Sequence, residues 1–226
     1  MENSRHTIEK ITLRQLLPLV FSGMENTEII RASRIWEEPP FDLVRGCRIC
    51  IHAESGCGKS SLMNFLYGSR QDYKGEILFD GLNIRDLGVE DWCRIRTQNI
   101  SYLPQDMGLF PELTVMQNIE LKNSRTHHKS QKQIRDLLER LGIAEKRDAA
   151  VGRLSIGQMQ RVALIRAVCQ PFDFFLLDEP VSHLDEKNNR VVAEIVSEEA
   201  SSRGAGIIST SVGNHLLLAG AQFISL

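Results

Sequence analysis

Hydrophobic and polar residues alternate along two segments near the start of the chain. Apolar side chains recur at every second position through much of residues 11–21, and a second alternating run covers residues 29–35 after the turn-prone segment SGMENT. This period of two residues is typical of strands with one buried face, so the pattern predicts an N-terminal antiparallel β hairpin. Pro18 cannot donate a ladder hydrogen bond, which indicates an edge strand or, alternatively, a short amphipathic helix.

Further along the chain, apolar runs alternate with segments of helical period. Residues 48–53 (RICIHA) are β-branched and apolar, and residues 172–177 (FDFFLL) form the run typical of a parallel strand covered on both faces. The segment QKQIRDLLERLGI has the period of an amphipathic helix, and a helix in EKNNRVVAEIVSEEA precedes the strands GIIST and QFISL. Strands that alternate with helices predict an α/β fold with a mostly parallel sheet.

Composition and charge exclude several classes of protein. The 226 residues are 42% hydrophobic and 25% charged, so we expect one folded domain over residues 1–226 and no disorder. The formal net charge of -2 gives no general attraction to nucleic acid, and we expect no nucleic-acid partner. No apolar run reaches the roughly 18 residues that a spanning helix needs, so we expect no membrane span. The N-terminal segment lacks the pattern of a signal peptide, so we expect a cytosolic location. Five cysteines, an odd number, are typical of reduced thiols and not of a disulfide framework.

The strongest chemical signal follows RICIHA, where the glycine-containing loop AESGCGKSS leads into a helix-like segment. Backbone N–H groups of such a loop point inward at a phosphate chain, and the following helix adds its positive end. Lys59 would neutralise the β and γ phosphates, and the hydroxyl of Ser60 would bind Mg²⁺. The loop opens with alanine where this motif ordinarily has glycine. The sequence predicts phosphate binding by Ala53, Glu54, Ser55, Gly56, Cys57, Gly58, Lys59, Ser60 and Ser61.

The second signal is the acidic pair that follows the apolar run FDFFLL. A carboxylate that leaves a buried parallel strand at its carboxyl end lies at the mouth of the sheet, where ligands bind. We therefore predict that Asp178 reaches the metal ion and that Glu179 polarises a water molecule. The prediction gains weight because a phosphate loop precedes the pair in the chain.

The third signal is the segment RLSIGQMQRVALIRAV, in which Ser155 caps an amphipathic helix. In combination with the phosphate loop and the acidic pair, LSIGQ resembles the signature sequence of the ATP-binding cassette (ABC) family, whose usual form is LSGGQ. The intervening stretch ISYLPQDMGLFPELTVMQNI and the later SHLD fit the same resemblance. The chain thus resembles the ATPase subunit of an ABC transporter, nearest to the ATPases of lipoprotein release, macrolide export and cell division.

The resemblance implies a particular fold. It implies a P-loop NTPase (RecA-like) α/β core with a mostly parallel sheet, over about residues 1–100 and 168–226. An N-terminal antiparallel β hairpin and an inserted α-helical subdomain, over about residues 101–167, would complete the single domain.

The resemblance also implies partners. Two subunits, as a homodimer or a heterodimer, would meet head to tail and enclose ATP and Mg²⁺. Ser155, Gly157 and Gln158 would then complete the site of the partner subunit, and Asp185 would lie at the dimer seam. A transmembrane permease subunit would be the further partner, which implies a cytoplasmic location at the inner face of the cell membrane.

Within one subunit, the resemblance assigns roles by position. Gln105 corresponds to the residue that senses Mg²⁺ and water, Asp178 to the metal-binding acid and Glu179 to the catalytic base. Phe21 corresponds to the aromatic residue that stacks on adenine, with Trp36 as the alternative ring. For either ring, packing in the core is an equally good interpretation.

Two positions depart from the family pattern. Ile156 replaces the first signature glycine, and a positive φ there would cost roughly 1–3 kcal/mol of strain. Ser211 replaces the switch histidine, and a neutral hydroxyl donates more weakly to a γ phosphate than an imidazole does. We therefore expect binding of Mg-ATP with slow hydrolysis, which would power or gate the membrane subunit.

Two other functions are compatible with parts of the sequence. A soluble ABC ATPase with a regulatory or DNA-related role would share all the motifs, but such proteins ordinarily carry long coiled-coil arms or tandem cassettes. A small-molecule P-loop kinase would share the phosphate loop but gives no reason for LSIGQ. The sequence favours the transporter ATPase.

Overall fold

The computed structural model describes residues 6–24, 27, 30, 33–36 and 40–226. An antiparallel sheet of four strands lies in the N-terminal part, in the order β2-β1-β4-β5. Its strands are β1 (Lys10–Pro18), β2 (Phe41–Val44), β4 (Tyr73–Phe79) and β5 (Leu82–Asn83).

The predicted hairpin is wrong in two respects, namely the segment that pairs with the first strand and the expected place of that strand at the edge of the sheet. Strand β1 pairs with β2 on one side and β4 on the other, so it is an interior strand. Its tolerance of Pro18 follows from position, because Pro18 is the last residue of the strand. In the predicted second strand, residues 30 and 33–35 lie in no strand, and residues 29, 31 and 32 lie outside the described residues.

A second sheet has five strands that all pair in parallel, in the order β6-β7-β8-β3-β9. This sheet confirms the predicted α/β fold with a parallel core. Its strands are β3 (Arg48–His52), β6 (Ile100–Leu103), β7 (Phe174–Asp178), β8 (Gly206–Ser211) and β9 (Gln222–Ser225).

Six α-helices of the described chain surround these sheets. Three of them, α3 to α5, lie between β6 and β7, in the segment where the sequence predicts helices. The helices are α1 (Lys59–Leu66), α2 (Val89–Gln98), α3 (Val115–Asn123), α4 (Gln131–Arg140), α5 (Ile156–Val168) and α6 (Glu186–Ser201).

Strand β7 is buried over its whole length because apolar layers cover both faces of the parallel sheet. Phe174 and Leu176 pack into the layer formed with the antiparallel sheet, α1 and α2. Phe175 and Leu177 point to the opposite layer, which α3 to α6 build. This packing fixes the carboxyl end of β7, an interior strand of the parallel sheet, and with it the acidic pair.

None of the helices in the described ranges is long and apolar enough to cross a bilayer.

Candidate functional site

The loop between β3 and α1 has the backbone that phosphate binding requires. Gly56 and Gly58 have φ of 87° and 93°, a left-handed conformation that glycine adopts without strain. A Cβ atom at Gly58 would lie 3.1 Å from Cζ2 of Trp36 and 3.2 Å from Cε2 of Phe21. The backbone conformation therefore favours glycine at this position, and a side chain there would also crowd the two rings. Helix α1 begins at the next residue with its N–H groups directed at the loop.

The ammonium group of Lys59 lies across the mouth of this loop. The side chain is only 5% exposed, and Nζ donates to the carbonyl oxygens of Ala53 at 2.9 Å and Glu54 at 2.7 Å. An ammonium group has three donors, so one N–H remains for a phosphate oxygen among the described contacts. The loop thus holds a positive charge in place at the point where a phosphate chain would enter.

The remaining loop residues have simpler roles. The N–H of Cys57 donates to the carbonyl oxygen of Glu54 at 3.5 Å, which closes the turn. Ser55 is exposed, and the hydroxyl of Ser61 accepts a hydrogen bond from Arg70 at 3.1 Å. These residues shape the loop or line its edge.

The three residues predicted to bind a metal line one cavity of about 480 Å³. Ser60 donates to Oε1 of Gln105 over 3.5 Å, a long contact, and buried Asp178 closes the cavity. Hydroxyl, amide and carboxylate oxygens are ligands that Mg²⁺ accepts. The described residues contain no cluster of three or more His, Cys, Asp or Glu side chains, so a bound Mg²⁺ would take further oxygens from phosphate and water.

Asp178 is oriented by a residue that the sequence analysis missed. Register between β7 and β8 places Thr210 opposite Asp178, and its hydroxyl donates to Oδ1 of Asp178 at 2.5 Å. The same hydroxyl accepts from the N–H of Glu179 at 3.2 Å. Thr210 therefore holds both members of the acidic pair, and the signal for it is the parallel pairing of the two strand ends.

Glu179 has an unusual backbone. Its φ is 51°, in the left-handed region, which costs a residue with a side chain about 1–2 kcal/mol. Thr210 holds its N–H, and the side-chain amide of Gln160 donates to its carbonyl oxygen at 3.0 Å. Such strain is found at functional sites where the surroundings hold it in place. Gln160 is the second residue that the sequence analysis missed; a buried amide on the core-facing side of α5 is the signal for it.

Ser211, the residue at the switch position, ends β8. Its side chain is 4% exposed, and its hydroxyl has no hydrogen-bond partner in the described part of the chain. Its carbonyl oxygen accepts from the N–H of Ala53 at 3.3 Å, so the switch position adjoins the start of the phosphate loop. A buried hydroxyl without a partner is available to a ligand.

The signature residues begin α5, away from the phosphate loop of their own chain. Ser155 accepts from the N–H of Gln158 at 3.3 Å and its N–H donates to Oε1 of Gln158 at 2.9 Å, which forms a capping box. Ile156 is 47% exposed and is the first helical residue, so the strain expected for a positive φ is absent. No hydrogen bond among the described residues joins Ser155, Gly157 or Gln158 to the phosphate loop.

Asp185 caps the next helix. Its Oδ1 accepts from the N–H of Asn188 at 2.8 Å, and this bond lowers the pKa of the Asp185 carboxyl. Asp185 is exposed at the start of α6, on the same loop that follows Glu179.

Two aromatic rings adjoin the phosphate loop. Phe21 is half-buried, whereas Trp36 is buried and its Nε1 has no hydrogen-bond partner among the described residues. Both rings lie next to Gly58, because a Cβ atom built there would come within 3.2 Å of each of them. Phe21 is the more accessible of the two to a ligand.

Comparisons with known proteins agree with this geometry. The family model described as ABC transporter matches residues 37–182. The ABC transporter ATP-binding protein YtrE of Bacillus subtilis is 29% identical over 174 residues, 75% of each chain. The lipoprotein-releasing system ATP-binding protein LolD of Shewanella oneidensis is 27% identical over 179 residues, 78% of each chain.

The fold is similar to that of a solved ABC cassette. The dimeric post-hydrolysis structure of the ATP-binding cassette MJ0796 bound to ADP and Pi superposes with a TM-score of 0.71 at 21% identity, over 90% of this chain and 88% of that one. These findings support an ATP-driven transporter ATPase and give no support to the regulatory or DNA-related alternative. By its motifs, its fold and its relatives, the chain belongs to the ATP-binding ATPases of the ABC transporter family.

Proposed function

We propose that this ATPase binds Mg-ATP at the phosphate loop, hydrolyses it slowly and thereby powers or gates a separately encoded membrane subunit. The observation that carries the proposal is the cavity shared by Ser60, Gln105 and Asp178, which lies beside the phosphate loop. These three residues would hold Mg²⁺, which neutralises phosphate charge when bound. Lys59 would hold the β and γ phosphates with its remaining donor.

Glu179 is the proposed base that polarises the attacking water, and Thr210 and Gln160 keep its backbone in place. Ser211 is the proposed donor to the γ phosphate. A hydroxyl stabilises developing charge less than an imidazolium does, because it carries no charge of its own. This difference supports slow turnover. Phe21 is the proposed ring that stacks on adenine, since Trp36 is already buried.

A second copy or a related chain is proposed to complete the site. Ser155, Gly157 and Gln158 stand at an exposed helix N-terminus that makes no hydrogen bond to its own phosphate loop. An N-terminus of this kind binds anions, so the phosphate of a nucleotide held by a partner subunit is a fitting ligand. Asp185 would lie at the same seam, in a homodimer or a heterodimer.

A groove next to the nucleotide cavity is the proposed docking site for the membrane subunit. Tyr102 and Pro104, directly before Gln105, line both cavities and separate them. The groove has a volume of about 480 Å³. We name it the basic groove; its lining residues include Tyr67, Arg96, Phe110, Leu121, Lys122, Arg125 and Arg166.

The charge of the basic groove indicates the chemistry of the segment that it binds. Four cationic side chains and no carboxylate are among its lining residues. Lys122 and Arg125 form no ion pair within the described part of the chain. An acidic segment of the membrane subunit, with apolar residues against Phe110 and Leu121, would match this lining. The chain would then lie at the cytoplasmic face of the membrane, with residues 101–167 as the helical subdomain and residues 1–100 and 168–226 as the core.

Two measurements test the catalytic part of the proposal. Mg-ATP should raise the melting temperature of the purified protein, and Glu179→Gln should lower turnover to a small residual rate while that shift remains. A protein without an ATP-dependent shift would contradict nucleotide binding. Turnover unaffected by Glu179→Gln would contradict the assigned base.

Charge reversal tests the docking proposal. A tagged chain should co-purify from detergent extract with a multi-span membrane protein, and Lys122→Glu with Arg125→Glu should abolish this association. Arg94→Glu, an exposed arginine outside the basic groove, is the matched control and should leave it intact. Association that survives reversal of the groove would contradict the proposed site.

A further inference from the structure

One buried amide joins the signature helix to the backbone of the acidic pair. Gln160 lies five residues after the helix cap Ser155, about 7.5 Å along α5, and is 3% exposed. Its Nε2 donates to the carbonyl oxygen of Glu179 at 3.0 Å and to Oγ of Ser182 at 3.3 Å. Its Oε1 accepts from the N–H of His183 at 3.1 Å. The amide therefore contacts the loop that follows β7 at three of its residues.

A second contact fastens the same two elements. A Cβ atom at Gly157 would lie 3.0 Å from the carbonyl oxygen of His183, so the first turn of α5 packs directly on the loop backbone. Packing this close leaves little room for independent movement. The first turn of α5 and residues 179–184 are thus joined at two points, one steric and one polar.

The hydrogen bond from Gln160 reaches the residue whose backbone is strained. Glu179 has a left-handed backbone, its N–H is held by Thr210, and its carbonyl oxygen is held by Gln160. Pro180 follows and has no N–H, so the peptide between the two residues has the carbonyl oxygen as its one hydrogen-bonding group. The carbonyl oxygen also accepts from the hydroxyl of Ser182 at 3.2 Å and from its N–H at 3.4 Å, but Ser182 belongs to the same loop. Among the described residues, Gln160 is therefore the donor that ties this oxygen to an element outside the loop.

We infer that Gln160 is a positioning residue that fixes the backbone of Glu179 and couples it to the signature end of α5. A nucleotide bound at Ser155 and Gly157 would then act on the acid of the other site through α5 of the same chain. The inference rests on the proposed function, because it takes Glu179 as the base and the signature as a phosphate contact. It assigns to Gln160 an effect on turnover and not on nucleotide affinity.

The first test compares two variants that remove different atoms. Gln160→Met removes the donor and the acceptor but keeps the length of the side chain, and kcat should fall about 10- to 100-fold with KM for ATP nearly unchanged. Gln160→Glu keeps the acceptor, and its carboxyl donates only when protonated. The kcat of Gln160→Glu relative to the unmodified protein should therefore rise as pH falls, whereas the ratio for Gln160→Met should stay flat.

A matched control separates positioning from stability. Asn123 is also buried and also donates to a carbonyl oxygen and accepts from an N–H, both of Lys129, far from the acidic pair. Asn123→Leu should lower the melting temperature about as much as Gln160→Met without the drop in kcat. Hydrogen exchange over residues 179–185 should accelerate in Gln160→Met and not in Asn123→Leu.

A double mutant decides whether the effect passes through Glu179. In single-turnover measurements, adding Gln160→Met to Glu179→Gln should cause no further loss of rate, because both changes remove the same function. An additive loss, or an unchanged kcat in Gln160→Met, would overturn the inference. If Glu179→Gln alone leaves the rate unchanged, the proposed base is at fault instead, so the two failures are distinguishable.

Discussion

The hydroxyl of Thr210 donates to Oδ1 of Asp178 over 2.5 Å, across the pairing of β8 with β7. Asp178 is almost fully buried, and a buried carboxylate needs its lone pairs satisfied. The hydroxyl also accepts from the N–H of Glu179. One side chain on the neighbouring strand thus orients the proposed metal ligand and one end of the strained residue beside it.

Thr210→Val should remove both bonds at nearly constant volume. We expect a loss of about 1–3 kcal/mol of unfolding free energy, because two buried polar groups lose their partner. ATP binding should also depend less steeply on Mg²⁺ concentration, since Asp178 loses its orientation. Urea unfolding and ATP titrations at several Mg²⁺ concentrations check this. Thr210→Ser, which keeps the hydroxyl, should retain most of both properties; equal damage in Val and Ser would refute the hydrogen-bond explanation.

The sequence reveals those parts of the site that are continuous in the chain. The phosphate loop and the acidic pair each stand within one short segment whose chemistry is legible from residue types. Thr210 and Gln160 act on Glu179 from positions 31 and 19 residues away. Their roles depend on which strands and helices meet, and no local pattern contains that information.

The fold was predictable to the same degree. The parallel strands are recognisable because burial on both faces leaves continuous apolar runs. The partners of β1 were not predictable, because the strands that lie beside it are determined by the tertiary structure. Its partners come from Phe41–Val44 and Tyr73–Phe79, and the alternation over residues 29–35 carries no trace of this.

Ser211→Ala should stabilise the ligand-free protein. The Ser211 hydroxyl is buried without a partner among the described residues, so its removal relieves a desolvation cost of about 1 kcal/mol. The stabilisation by Mg-ATP should at the same time become smaller, because a proposed phosphate contact is lost. Differential scanning fluorimetry with and without Mg-ATP measures both effects. Ser209→Ala is the control. The hydroxyl of Ser209 contacts Sγ of Cys50 at 3.2 Å, so its removal should not raise the melting temperature of the ligand-free protein.

Glu179→Gly should make the protein more stable but inactive. Glycine adopts the left-handed backbone freely, so the change relieves about 1–2 kcal/mol of strain. For a chain of this size the melting temperature should rise by about 2–8 °C. ATP turnover should be lost with the carboxylate. Glu179→Ala is the matched control, because it also lacks the carboxylate but keeps a Cβ and the strain; a rise of the same size in Ala would show that the backbone is not the cause.

Lys122 in the basic groove gives the protein a distinctive pH dependence. Burial lowers the pKa of Lys122 to about 8, and the nearby positive charges of Arg166 and Arg125 act in the same direction. In the unfolded chain a lysine titrates near its ordinary pKa of about 10.4. Between these two values the unfolded chain binds more protons than the folded one, so the contribution of Lys122 makes stability rise with pH. Below about pH 8 both states are protonated, and the cost of holding this half-buried charge in the folded protein is complete.

Lys122→Met should therefore be more stable than the unmodified protein at pH 7, because it removes the charge of a half-buried ammonium group and keeps an apolar side chain of similar length. The advantage should shrink as pH rises from about 8 towards 10, where the folded lysine is already neutral. Urea unfolding at several pH values, taken as the difference between variant and unmodified protein, cancels the titration of all other groups. Lys132→Met, at an exposed position on α4, is the control for the loss of a lysine from the protein surface. A constant advantage of Lys122→Met over this range would mean that Lys122 keeps its charge in the folded protein.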